Sequence, residues 1–113
     1  MMWKDLNDLA QLAAIQEESK TRPVVLFKHS TRCSISSMAK SRLERAGAPE
    51  GISFYLLDLI RYRALSNQIA DDFSVMHQSP QVLLISNGAC VYNESHSAIS
   101  MDEIEHQATG VKA

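Results

Sequence analysis

PVVLFKHSTRCSISSMAKSRLERAG, residues 23–47, is the stretch that decides the fold. Pro23 to Phe27 is continuously apolar and β-branched at Val24 and Val25. That composition reads as a short strand buried on both faces, as in a parallel sheet. Lys28 to Arg32 is polar and reads as a turn. Beyond it, Ile35, Met38, Ala39, Leu43 and Ala46 recur at helical spacing. They predict a helix from about Cys33 to Ala46 with this face inward and Met38 in the core. Gly47 stands where a helix stop is expected. A buried strand running into an amphipathic helix is the first half of a strand-helix-strand unit, whose strands are parallel and whose crossover is right-handed.

Upstream, Leu6, Leu9, Ala10 and Ala13 mark one face of a helix, with Asp5 as its expected N-cap and Pro23 barring its continuation. Downstream, Ile52 to Asp58 reads as a second strand, and Leu65, Ile69, Ala70 and Phe73 as the next helix. Val82 to Ile85 and Ala89 to Tyr92 flank Ser86-Asn87-Gly88, and Asn-Gly between apolar runs is a strong hairpin signal. Ser100 and Glu103 have capping-box spacing and open a last helix. The order is α-β-α-β-α-β-β-α. It predicts one α/β domain over 1–113, with a four-stranded mixed sheet and helices on both faces. That is the thioredoxin-like arrangement.

The chain has 113 residues, is 45% hydrophobic and 21% charged, and carries a formal net charge of -2. Such a balance gives no basic footprint for nucleic acid. No apolar run approaches the roughly 20 residues that span a bilayer. The N-terminus leads into a charged segment rather than an apolar signal, so a reducing, cytoplasmic setting is expected.

The chain has two cysteines, Cys33 and Cys90, and they make neither a disulfide framework nor a zinc pattern. No metal site is expected. Cys90 alternates within an apolar hairpin strand and reads as packed, although the sequence leaves a resolving role open. Cys33 falls at the opening of a helix. There the unpartnered backbone N–H groups and the macrodipole favour a thiolate, the form that attacks a disulfide. Lys28 and Arg32 add positive charge in the same stretch. Cys33-Ser34-Ile35-Ser36 has the frame of C-x-x-C with serine in the second cysteine's place. Cys33 can therefore form a mixed disulfide, while Ser36 cannot resolve it. The Ser36 hydroxyl is a candidate hydrogen-bond donor to the sulfur.

Ser79-Pro80 directly precedes the strand at Gln81. X-Pro is the one bond type for which cis is cheap, and a cis Pro80 facing the cysteine is expected of a thioredoxin-type domain. His29 and His77 flank the two motifs. Either could line the site, the plainer reading being hydrogen bonds that order the loops. Arg61 and Arg63 could meet an anionic ligand, but a solvated surface is the default reading.

These blocks resemble one family. Phe27-Lys28-His29-Ser30-Thr31-Arg32-Cys33-Ser34-Ile35-Ser36 is similar to the FKHSTTCPIS signature of the monothiol bacilliredoxins of the YtxJ type. His77-Gln78-Ser79-Pro80-Gln81-Val82-Leu83-Leu84-Ile85 is similar to their HESPQVLLI block, and Ser95-His96 falls where they have SH. The resemblance runs from about residue 5 to 106. It implies a thiol-disulfide oxidoreductase that removes bacillithiol, a small cysteine-containing thiol, from protein mixed disulfides. Cys33 and Ser36 would be the catalytic pair, with Arg32, Ser34, Ser79, Pro80 and His77 binding substrate. Bacillithiol would be a co-substrate with no tightly bound cofactor. Bacillithiolated proteins and a low-molecular-weight thiol would be the partners of a monomer. Ser34 replaces the family's usual proline, so the family's redox poise does not transfer. Two other readings are an iron-sulfur carrier sharing a cluster between protomers, and a non-catalytic binding module of the same fold.

Overall fold

The structure, a computed structural model, describes residues 1–111. Its sheet has five strands: β1 (Lys4–Asp5), β2 (Val24–His29), β3 (Ser53–Asp58), β4 (Gln81–Ser86) and β5 (Ala89–Ser95), in the order β1-β3-β2-β4-β5. The first three are parallel, and β4 and β5 are antiparallel to their neighbours. Four α-helices, α1 (Ala10–Glu18), α2 (Ser34–Ala46), α3 (Arg63–Phe73) and α4 (Met101–Val111), cover the faces.

Side chains alternate across a strand, and this alternation divides the core in two. Val24 and Leu26 of β2, with Leu83 and Ile85 of β4, pack against Leu12 and Ile15 of α1 and Leu65 and Ile69 of α3. Val25 and Phe27, with Val82 and Leu84, pack against Ala39 and Leu43 of α2 and Ile104 and Ala108 of α4. Each fully buried Leu, Ile or Phe contributes roughly 1.5–3 kcal/mol relative to exposure. The parallel unit and the closing hairpin stand as expected. Asn87 and Gly88 have positive φ of 50° and 79°, as a two-residue hairpin turn of this kind requires.

Three expectations are corrected. The sheet has a fifth strand, because Lys4 and Asp5 pair with Tyr55 and Leu56 and Leu6 N–H donates to the Leu56 carbonyl at 2.9 Å. Asp5 therefore lies in β1 and caps nothing. The first helix begins at Ala10, where the Asp8 carboxylate accepts the Ala10 N–H at 2.9 Å. Its inward residues are Leu12 and Ile15, while Leu9 is exposed.

The inner face of α2 is Ser36, Ala39 and Leu43 rather than the set beginning at Ile35. Ile35 and Met38, one position away, are 47% and 61% exposed, so Met38 is not core. A shift of one residue turns a side chain by about 100° around the helix.

The polar segment from Lys28 is the third correction. Lys28 and His29 belong to β2, and the turn begins at Ser30.

Candidate active site

Strand β2 delivers the chain to Cys33, which is the N-cap of α2 with extended backbone (φ -111°, ψ 121°). Its N–H donates to the Ser30 carbonyl at 3.2 Å, and its carbonyl accepts the Ser37 N–H at 3.0 Å. The Cys33 side chain makes no capping bond and is half-buried and unpaired. Cys33 thus stands at the N-terminus of α2, whose first N–H groups lack intrahelical partners. Arg32 and Ser34 on either side are exposed.

Ser36 lies one turn further along α2 and is fully buried. Its oxygen accepts the Ser30 N–H at 3.0 Å and lies 2.6 Å from His29 Nδ1. The hydroxyl and the ring nitrogen share one short hydrogen bond, whose direction is set by the His29 tautomer. Burial, reinforced by the Lys40 ammonium, holds this imidazole below its ordinary pKa, consistent with the neutral form. Among the described residues no hydrogen bond joins Ser36 to the Cys33 sulfur. Its hydroxyl ties the start of α2 to the end of β2.

Ser79-Pro80 is cis. The last residue pair of β2 and β4 is Lys28↔Gln81. Pro80, one residue before β4, therefore lies at the same end of the sheet as the turn that carries Cys33. Pro80 is buried and Ser79 half-buried. The loop before them is pinned from below. Gln81 Nε2 donates to the Met76 carbonyl at 3.0 Å, and Gln81 Oε1 accepts the Gln78 N–H at 3.4 Å. Lys28 Nζ donates to the Ser66 carbonyl at 3.2 Å and lies 3.3 Å from His77 Nδ1. His77 is half-buried, and burial together with Lys28 and Arg63 depresses its pKa. Burial pushes the Lys28 ammonium down to about 8.

The two histidines thus order the two loops, one on each face of the sheet. Sequence reasoning missed Lys28 and Gln81 as loop clamps. The signal was period two through β2, which puts Lys28 in phase with Val24 and Leu26 and directs it at α3.

Cys90 packs against the α1/α3 side of the core, and its thiol donates to the Tyr92 carbonyl at 3.3 Å. Burial raises its pKa, which favours the unreactive thiol.

The family model described as monothiol bacilliredoxin BrxC matches residues 4–104. Among solved structures, the chain is similar to a candidate oxidoreductase with a thioredoxin fold. The two share 30% identity over 92% of this chain and 91% of that one, with a TM-score of 0.77. It is also similar to spinach chloroplast thioredoxin f in its short form, at 15% identity over 97% and 93% of the two chains, TM-score 0.71. Fasciola hepatica thioredoxin matches at 20% identity over 95% and 97%, TM-score 0.71. At such identities the two thioredoxins show the fold alone.

Proposed function

The chain belongs to the monothiol bacilliredoxin family, and from that premise we propose that it removes bacillithiol from protein mixed disulfides through Cys33. A thiol redox role on a thioredoxin fold follows from the family and from its oxidoreductase-like neighbour. One observation carries the finer reading. Cys33 stands free at the N-terminus of α2, while the position three residues on is a buried serine already engaged with His29. Such a site forms a mixed disulfide and has no local thiol to resolve it.

The steps balance as two exchanges. The Cys33 thiolate attacks the bacillithiol sulfur, the Cys33–bacillithiol disulfide forms, and the old disulfide breaks. The substrate protein leaves as a thiolate and takes a proton from solvent. A second low-molecular-weight thiolate then attacks the bacillithiol sulfur and releases Cys33 as a thiolate. Arg32, Ser34, Ser79, Pro80 and His77 are the proposed substrate contacts. Ile35 and Met38 on α2, Ile60 after β3 and Met76 before Pro80 are all exposed at this end of the sheet, and they offer an apolar rest for a protein substrate. In this reading Ser36 is a positioning residue that holds the Cys33 turn.

The test is a bacillithiolated model protein followed by intact mass. Cys33→Ser abolishes removal of the adduct, and Cys90→Ser retains it. Removal by Cys33→Ser sinks the mechanism.

A further inference from the structure

A second feature lies beside the Cys33 turn, on the side away from Pro80. Register places Asp5 of β1 level with Leu56, and His29 of β2 level with Asp58. Phe27 and Leu56 pack on the α2 side of the sheet, so Asp5, His29 and Asp58 share that face at the carboxyl ends of the three parallel strands. There they line a cavity of about 420 Å³, together with Thr31, Lys40 of α2 and Arg61 of the loop after β3. The carboxyl ends of parallel strands are where open α/β sheets bind ligands, and the volume is that of a small-molecule site.

The charges in the cavity are opposed but not neutralised within it. Lys40 pairs outward with Glu44 at 2.9 Å. Among the described residues Asp5, Asp58 and Arg61 have no ion-pair partner. Asp58 Oδ1 accepts the Ile60 and Arg61 N–H groups at 3.2 and 3.3 Å, which turns the loop that carries Arg61, and the Arg61 guanidinium lies 5.4 Å from the Tyr62 ring centroid. A site with two cations and two carboxylates suits a ligand that carries both signs. It is also within reach of the sulfur. Thr31 is two residues from Cys33, a span of roughly 7 Å at most along extended chain.

We propose that this cavity holds the charged, non-sulfur part of an acidic low-molecular-weight thiol while its sulfur is joined to Cys33. Arg61 and Lys40 face the ligand's carboxylates, and Asp58 and Asp5 face its ammonium. The inference rests on the thiol-exchange reading above and gives it a recognition site. Arg61 becomes a specificity residue rather than a solvated surface charge. The disulfide chemistry is unchanged: Cys33 thiolate and oxidised bacillithiol yield the Cys33–bacillithiol disulfide and one bacillithiol thiolate.

The experiment compares two disulfides, oxidised bacillithiol and the neutral bis(2-hydroxyethyl) disulfide, by the rate of Cys33 adduct formation. Arg61→Gln is the variant, since the Arg61 side chain is exposed and, among the described residues, makes no side-chain hydrogen bond or ion pair. It slows the reaction with oxidised bacillithiol by about fivefold to tenfold, the scale of one ordinary hydrogen bond of about 1 kcal/mol, and leaves the neutral disulfide unchanged. Asp58→Asn, which keeps the turn, lowers the same rate selectively. Equal slowing with both disulfides, or no slowing with either, overturns the cavity assignment. A bacillithiolated substrate stripped at the same rate by wild-type and Arg61→Gln protein removes the cavity but keeps the function. Wild-type protein that leaves that substrate intact removes the function instead.

Discussion

Lys28 has no exposed surface, and among the described residues its ammonium meets only a carbonyl and an imidazole nitrogen. Removing an ammonium from water without a carboxylate partner is costly, and the depressed pKa measures that cost. In the unfolded chain a lysine binds its proton up to about pH 10.4, whereas folded Lys28 releases it near 8. Between these values the unfolded state holds more protons, so this group's contribution to stability rises with pH. Below pH 8 the full penalty, on the order of 3 kcal/mol, is present. Lys28→Met is therefore expected to be more stable than wild type at pH 7 in urea unfolding, with the advantage shrinking toward pH 10. An advantage that does not change with pH would contradict the account. The sequence shows a charge beside polar neighbours, and charge alone argues for a turn. Only the register of Val24 and Leu26 places Lys28 inside, where it holds the His77 loop.

At the scale of elements, one hydroxyl ties the first turn of α2 to the end of β2. Ser36→Ala leaves a buried imidazole nitrogen and the Ser30 N–H without their partner. That loss costs about 2 kcal/mol, read as a lower urea midpoint with an unchanged slope. An unaltered midpoint would mean that water replaces the hydroxyl and that the fastening lies elsewhere. The helices, the parallel pair and the hairpin were legible, because each has a long periodic pattern or a specific turn. Strand β1 was not. It is two residues long, both charged, and its only signal is a partner strand about fifty positions away. The face of α2 was misread for a different reason. Ile35 and Met38 are apolar yet exposed beside Cys33, so apolar character alone misplaces the inward face. Cys33 and Pro80 were legible from motif alone. The cavity beside them was not, since register and β1 assemble it.

For the whole molecule, the decisive length is that of the sheet. Cys90 pairs with Ile85, and Ile85 pairs with Val24 at the amino end of β2. Cys33 lies beyond His29, at the carboxyl end. The five steps from Val24 to His29 span roughly 16 Å at the strand rise, and a disulfide needs Cα atoms within about 7 Å. Bringing the two sulfurs together would require unpairing β5 from β4, whose ladder runs from Gln81↔Ser95 to Ser86↔Ala89. Cys90 therefore cannot resolve an adduct on Cys33 while the fold is intact. Oxidation of the native protein with diamide in the presence of bacillithiol, followed by non-reducing mass spectrometry, is expected to give bacillithiol adducts or intermolecular disulfides at Cys33 and no internal Cys33–Cys90 bond. Under urea the barrier of distance disappears, and the internal bond is expected to form. An internal bond in native protein would show that β5 opens on the timescale of exchange. It would also return Cys90 to the mechanism as the resolving thiol.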